Sequence, residues 1–162
     1  IPSHENYNTK LVTDILNNFN SALISTGASR WTEIEQYINH FKQGNLIPMH
    51  CVSSYPCNPE NINLPKISEL KAMSNIYGYS GHLQTIDDAI SAISLGCSYV
   101  EKHFTIDKSL PGRDNQFAIL PEDLKNLSNF RDIFEKMNIN KGSDFQDGEI
   151  DIIENYRGRW GG

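Results

Sequence analysis

The sequence predicts an α/β fold: a (β/α)8 TIM barrel, of which these 162 residues make roughly the second half. Three observations carry that expectation. Short apolar runs alternate with helical patterns of roughly 10–15 residues, the signature of βαβ units on a parallel sheet. No GxGxxG loop follows an early strand, as a doubly wound nucleotide-binding fold would have. Polar, reactive residues gather instead at the C-terminal ends of successive strands, where a barrel keeps its chemistry. A whole barrel takes ~250 residues, so the chain suits half of one.

The elements follow in order. Residues 1–3 read as the end of a strand, with TKLVTDIL as the helix behind it. A chain that opens on Ile1 in mid-strand is expected to be a fragment or a processed product. SALISTG is a strand closed by a glycine turn. RWTEIEQYINHF sets Trp31, Ile34, Ile38 and Phe41 at helical spacing, with Ser29 as the expected N-cap. LIPMHCVSSYP is the next strand, LPKISELKAM a short helix and IYGYSGH a further strand. In TIDDAISAISLG the residues Ile86, Ala89, Ile90 and Ile93 form the expected apolar face, Asp87 and Asp88 suit the first turn, and Gly96 suits the C′ position. SYVEKHF follows as a strand. Pro121 opens a long helix whose expected buried stripe is Leu124, Leu127, Phe130, Phe134 and Met137. Residues 1–138 thus form the half-barrel, and 139–162 are expected to be a polar, irregular tail.

Composition narrows the function. The formal net charge is −6 and no lysine- or arginine-rich run occurs, which argues against a nucleic-acid surface or a polybasic membrane patch. No apolar run approaches the ~20 residues of a membrane helix, and no basic-then-apolar leader is present. The three cysteines match neither a zinc-knuckle spacing nor a disulfide framework, so buried thiols in a reducing cytoplasm are expected.

The strand ends hold the candidate chemistry. His82 and His103 lie 21 residues apart, about one strand-helix-strand repeat, so both return to the same rim. Alternation puts Gly78, Ser80 and His82 on one face of their strand, and Glu101 and His103 on one face of the next. Such a pair can be metal ligands, an acid/base pair or hydrogen-bonded structural residues. Two neutral imidazoles with oxygen ligands suit Mn²⁺ or another divalent cation. Ser3, Ser25, Ser53 and Ser80 fall at or just after strand ends, beside small residues that expose backbone N–H groups, an arrangement suited to a phosphate. Glu5 and Asp114 add carboxylates in loops, Asp114 after a Pro-Gly turn expected to bend it back over the rim, and either could merely cap its loop. Glu101 can serve as a partner of the His103 ring or as an interior structural carboxylate.

The motifs IPSHEN, LISTGAS, MHCVSSYPCNPENINL, GYSGH and EKHFTIDKSLPGRDNQFAILPEDL, in this order, make residues 1–137 resemble the sialic acid (N-acetylneuraminate) synthase family. The resemblance implies a barrel running here from the end of strand four to helix eight. It implies a condensation of phosphoenolpyruvate with N-acetylmannosamine or a related acylamino sugar, with release of phosphate. On matching positions, His82 and His103 would ligate Mn²⁺. Ser3, Ser25 and Ser80 would hold the phosphate of phosphoenolpyruvate, with Ser53 where some members have Asn. Tyr55, Glu5 and Asp114 would contact the sugar, Glu5 also orienting water or relaying a proton.

The sequence departs from that pattern in places. The family's lysine just before the first strand end, and the glutamate and lysine of the first strands, precede Ile1, so this chain alone is not expected to turn over. Gly81 stands where many bacterial members have Asp. No antifreeze-like domain is expected within these residues; Arg157 or Arg159 could supply the arginine that such a domain lends to a neighbouring subunit, with a solvated tail as the more ordinary reading. Arg113 beside Asp114 leaves the acyl-sugar preference open. Two other readings compete: another metal-dependent aldolase or dehydratase barrel, and a non-catalytic half-barrel serving assembly. Unpaired sheet edges predict that the missing half of the barrel, a swapped dimer or strong oligomerisation covers them, and a homo-oligomer such as a dimer is expected.

Overall fold

A computed structural model describes residues 1–41 and 45–161. Four parallel strands form one sheet in the order β1-β2-β3-β4: β1 (Ala22–Ser25), β2 (Leu46–Cys51), β3 (Gly78–Gly81) and β4 (Tyr99–Lys102). Helices α1 (Thr9–Asn18), α2 (Trp31–His40), α3 (Lys66–Met73), α4 (Asp87–Ser94) and α5 (Pro121–Met137) separate or flank them. This is the βα alternation of a half-barrel. Ile1 extends the sheet past β1: its amino group donates to Leu23 O (2.7 Å), and Ser25 N donates to Ile1 O (3.0 Å). That bracketing is the hydrogen-bond pattern of a single parallel bridge beside Ile24.

Register decides what meets at the rim. Ser25 pairs with Met49, Cys51 with Ser80, and Ser80 with Glu101. With a period of two, Leu23, Ser25, Met49, Cys51, Ser80 and Glu101 line the concave face. The alternate residues Ala22, Ile24 and Tyr79 turn toward the helices and build the core. One buried cluster joins Val12, Ala22, Ile24 and Leu46; a larger one joins residues such as Ile34, Ile67, Leu70, Tyr79 and Ala92.

Several element-level expectations need correction. Ser29 does not cap α2: its hydroxyl donates to Gly27 O (3.1 Å) and accepts from Asn6 Nδ2 (2.9 Å), so the helix opens one residue later, with Glu33 Oε2 accepting from Arg30 N (2.6 Å). In α4 the fully buried side chains are Asp88, Ala89 and Ala92, while Ile86, Ile90 and Ile93 sit half-buried on its flanks. Small residues let the helix axis approach the sheet closely, and the isoleucines straddle it. In α5 only Leu127 is buried; Phe130 and Phe134 are half-buried, and Leu124 and Met137 are exposed. That helix flanks the end of the strand row and packs chiefly on α4, and among the described residues most of its stripe stays half-buried or exposed. The tail is not wholly irregular either, since Ile150–Asn155 forms a short helix, α6. Gly96 follows α4 at φ +88°, the left-handed cap its position predicts. Among the described residues no helix is long and apolar enough to cross a membrane.

Candidate active site

The concave face closes into a cavity of about 420 Å³ at the C-terminal ends of the strands. Seven of the nine sequence-predicted site residues line it: Ser3, Ser25, Tyr55, Ser80, His82, His103 and Asp114. Glu5 and Ser53 are not among its lining residues. The Glu5 carboxylate, in the 3₁₀ turn Ser3–Glu5, accepts from Asn8 Nδ2 (3.0 Å). Ser53 meets the rim above Gly27, where its hydroxyl and that of Ser3 fill the space that a side chain at position 27 would take.

The two histidines lie one residue beyond β3 and β4, with ring centres 5.2 Å apart. His82 is buried, and its Nδ1 lies 2.9 Å from Val52 O. A carbonyl only accepts, so Nδ1 carries the proton and Nε2 keeps its lone pair. Burial lowers the His82 pKa below the ordinary imidazole value; the Val52 carbonyl opposes this, and a charge on His103 would add to it. The ring is therefore neutral at neutral pH, as a metal ligand must be. His103 is partly exposed, with Nδ1 3.6 Å from Asp114 Oδ2. Tyr55 and Phe117 wall the pair, with the Tyr55 ring centre 4.2 Å from that of His82 and the Phe117 ring centre 5.0 Å from that of His103.

Two imidazole nitrogens at ~2.1 Å from a shared ion put their ring centres on the order of 5 Å apart, so the observed spacing fits a divalent cation. Among the described residues no group of three or more His, Cys, Asp and Glu side chains comes together as a ligand set. The remaining positions would fall to water or substrate oxygens, the preference of Mn²⁺-like ions. Cys51 also lines the cavity, and burial raises its thiol pKa, so the free site holds it as a thiol.

Hydroxyls occupy the other side of the cavity. Ser25 is buried at the end of β1, and its carbonyl accepts from Asn6 Nδ2 (3.1 Å). Ser3 Oγ lies 3.6 Å from Cys51 Sγ. Ser80 Oγ donates to Glu101 Oε1 (2.8 Å), so Glu101 is engaged with Ser80 and the carboxylate beside His103 is that of Asp114. The Pro-Gly turn that carries Asp114 is held by Asn115, whose amide donates to Leu110 O (2.8 Å) and Pro111 O (3.2 Å). Asn6, Cys51 and Phe117 were absent from the sequence-derived site. Strand parity could have supplied Cys51, which pairs in register with Ser80. Phe117 lies in a loop whose return to the rim has no local signal.

The chain resembles known proteins along this whole frame. The profile of the NeuB family matches residues 1–141. An N,N'-diacetyllegionaminic acid synthase of Campylobacter jejuni is 33% identical over 162 aligned residues, taking in 94% of this chain and 48% of that protein. The human N-acetylneuraminate-9-phosphate synthase is 35% identical over 109 residues, 65% of this chain and 30% of that protein. A crystal structure of an N-acetylneuraminic acid synthetase from Leptospira borgpetersenii, in complex with citrate, superposes with a TM-score of 0.87 at 29% identity, covering all of this chain and 58% of that one. The chain spans about half the length of that legionaminic acid synthase and less of the human protein. With a match over nearly its whole length, a half-barrel of parallel strands and relatives that make sialic and legionaminic acids, this chain belongs to the NeuB family.

Proposed function

We propose that this chain is the second half of the catalytic barrel of a nonulosonic acid synthase, a transferase of carbohydrate biosynthesis that condenses phosphoenolpyruvate with N-acetylmannosamine or a related acylamino sugar. The observation that carries the reading is the convergence of two imidazoles and three serine hydroxyls on one cavity. In the reaction, C3 of phosphoenolpyruvate forms a bond to the sugar's aldehyde carbon, water adds at C2, and phosphate leaves with cleavage of its C–O bond.

The residues divide this work by position. Ser3, Ser25 and Ser80 would donate to the phosphate, with Ser53 reaching it from above Gly27. Ser80 has one proton, engaged with Glu101 in the free site, so it must turn from that carboxylate to bind an anion. His82 and His103 would hold Mn²⁺ or another divalent cation, which when bound supplies Lewis-acid polarisation of the sugar carbonyl. Tyr55, half exposed at the mouth, would meet the sugar; burial raises its phenol pKa and keeps it a donor. Asp114, beside His103, would accept from a sugar hydroxyl, and Glu5 would orient water or relay a proton. Fixing both substrates on one rim supplies proximity, worth ~7–11 kcal/mol of the barrier at best. The three free cysteines and the lack of a membrane-crossing helix among the described residues suit a cytoplasmic enzyme.

The test is phosphate release by the full-length protein. It should require phosphoenolpyruvate, an acylamino sugar and a divalent cation together, and His82→Ala should lower it at least ~100-fold. Release that ignores the sugar, or that survives His82→Ala, contradicts the reading.

A further inference from the structure

We propose that the buried Asp88–Lys102 pair is a positioning device: a clamp behind the sheet that fixes His82 and His103 at the separation a shared cation needs. The proposal rests on the cation reading above. The backbone register of β3 and β4 ends with Gly81 opposite Lys102. His82 and His103 are the next residue along each chain segment, where pairing between the two strands ends. Each histidine carbonyl turns to another partner, His82 O accepting from Cys57 N (3.0 Å) and His103 O from Ile119 N (2.7 Å). Past that point the Lys102 side chain links the two segments to each other. Its Nζ donates to Leu83 O (2.6 Å), the carbonyl just past His82, while its own backbone immediately precedes His103. The same nitrogen meets both Asp88 oxygens at 3.0 Å. An ammonium has three donors, and these three acceptors use them all, which fixes the direction of each.

Asp88 is anchored in turn. Its Oδ2 accepts from Tyr79 OH (3.0 Å) on β3, and its Oδ1 from Ala89 N (2.8 Å) at the start of α4. A Cβ at position 81 would collide with that carboxylate, so Gly81 is the space the clamp occupies. The two side chains are 4% and 0% exposed. A pair this deep is seldom worth more to stability than apolar side chains of the same volume. What distinguishes it is its place: one ammonium joins the segments that carry both rim histidines.

The test is a Mn²⁺ titration, followed by the EPR signal of the free ion, on full-length native protein, His82→Ala, Lys102→Met and the double variant Asp88→Leu/Lys102→Met. The double variant removes both charges, so it keeps the test valid where Lys102→Met alone fails to fold. The ring ¹⁵N resonances of His82 and His103 are recorded in parallel without metal. The clamp predicts that the double variant keeps the native thermal midpoint within a few degrees, binds Mn²⁺ ~10–100-fold more weakly, and loses the single Nδ1–H tautomer of His82. Native Mn²⁺ affinity and native ring resonances in that variant overturn it. If the native protein binds no Mn²⁺, the cation reading fails, and the resonances alone decide: shifted rings keep the clamp, unshifted rings overturn it.

Discussion

An added methyl at Gly27 would collide with the Ser53 hydroxyl and lie 2.6 Å from that of Ser3. Both hydroxyls belong to the proposed phosphate cradle, so Gly27→Ala should push them apart. We expect KM for phosphoenolpyruvate to rise roughly tenfold or more while stability falls by only about 1–3 kcal/mol. An unchanged KM would remove Ser3 and Ser53 from phosphate binding. His50 gives the residue-level pH dependence. It is 1% exposed, its Nε2 lies 2.7 Å from Ile62 O, and its Nδ1 is buried without a partner. Burial lowers its pKa, with the Ile62 carbonyl acting the other way. The unfolded chain takes up that proton near pH ~6.5 and the native state only below it. The stability that neutral His50 contributes is therefore present above ~6.5 and lost as pH falls through the native value. Thermal midpoints taken from about pH 7 to about pH 5 should fall, and the fall should be shallower in His50→Leu. Equal slopes would contradict the assignment.

At the scale of elements, Gly96 ends α4 at φ +88°, with Tyr77 OH 2.9 Å from where a Cβ would sit. Gly96→Ala should cost about 1–2 kcal/mol in a denaturant titration, and a neutral effect would show that the turn can re-form without glycine. That glycine was legible because it marks the end of a helical period. The buried face of α4 was less so. Period 3.6 names the positions that turn inward, but Ala89 and Ala92 became the innermost because only small side chains let the helix descend onto β3 and β4. Asp88 read as first-turn charge and is a buried anchor, since its partner Lys102 comes from an element fourteen residues away. Ser29 read as a cap for the same reason in reverse. Its hydroxyl is claimed by Asn6, 23 residues earlier. Local rules were overridden wherever a distant polar partner was nearer.

For the whole molecule, alternation of strands and helices was enough to give a parallel sheet, and parity gave its inward residues. Ser80 and Glu101 do meet face to face, in register, as alternation requires. The convergence of seven site residues on one cavity follows from that order of strands. The buried stripe of α5 was not borne out within these residues. The periodicity records a face, and what covers that face lies outside the pattern. The loops were the least legible part: Asp114 and Phe117 reach the rim through a turn held by Asn115 side-chain bonds, which no spacing rule encodes.

The central claim is that two neighbouring strand ends assemble one cation site. It is tested most directly by an EPR-monitored Mn²⁺ titration of the full-length protein beside its His82→Ala/His103→Ala variant. The account predicts saturable binding to the native protein that the variant loses, with the fold unchanged by circular dichroism. Equal binding by both proteins, or none by the native one, would contradict it.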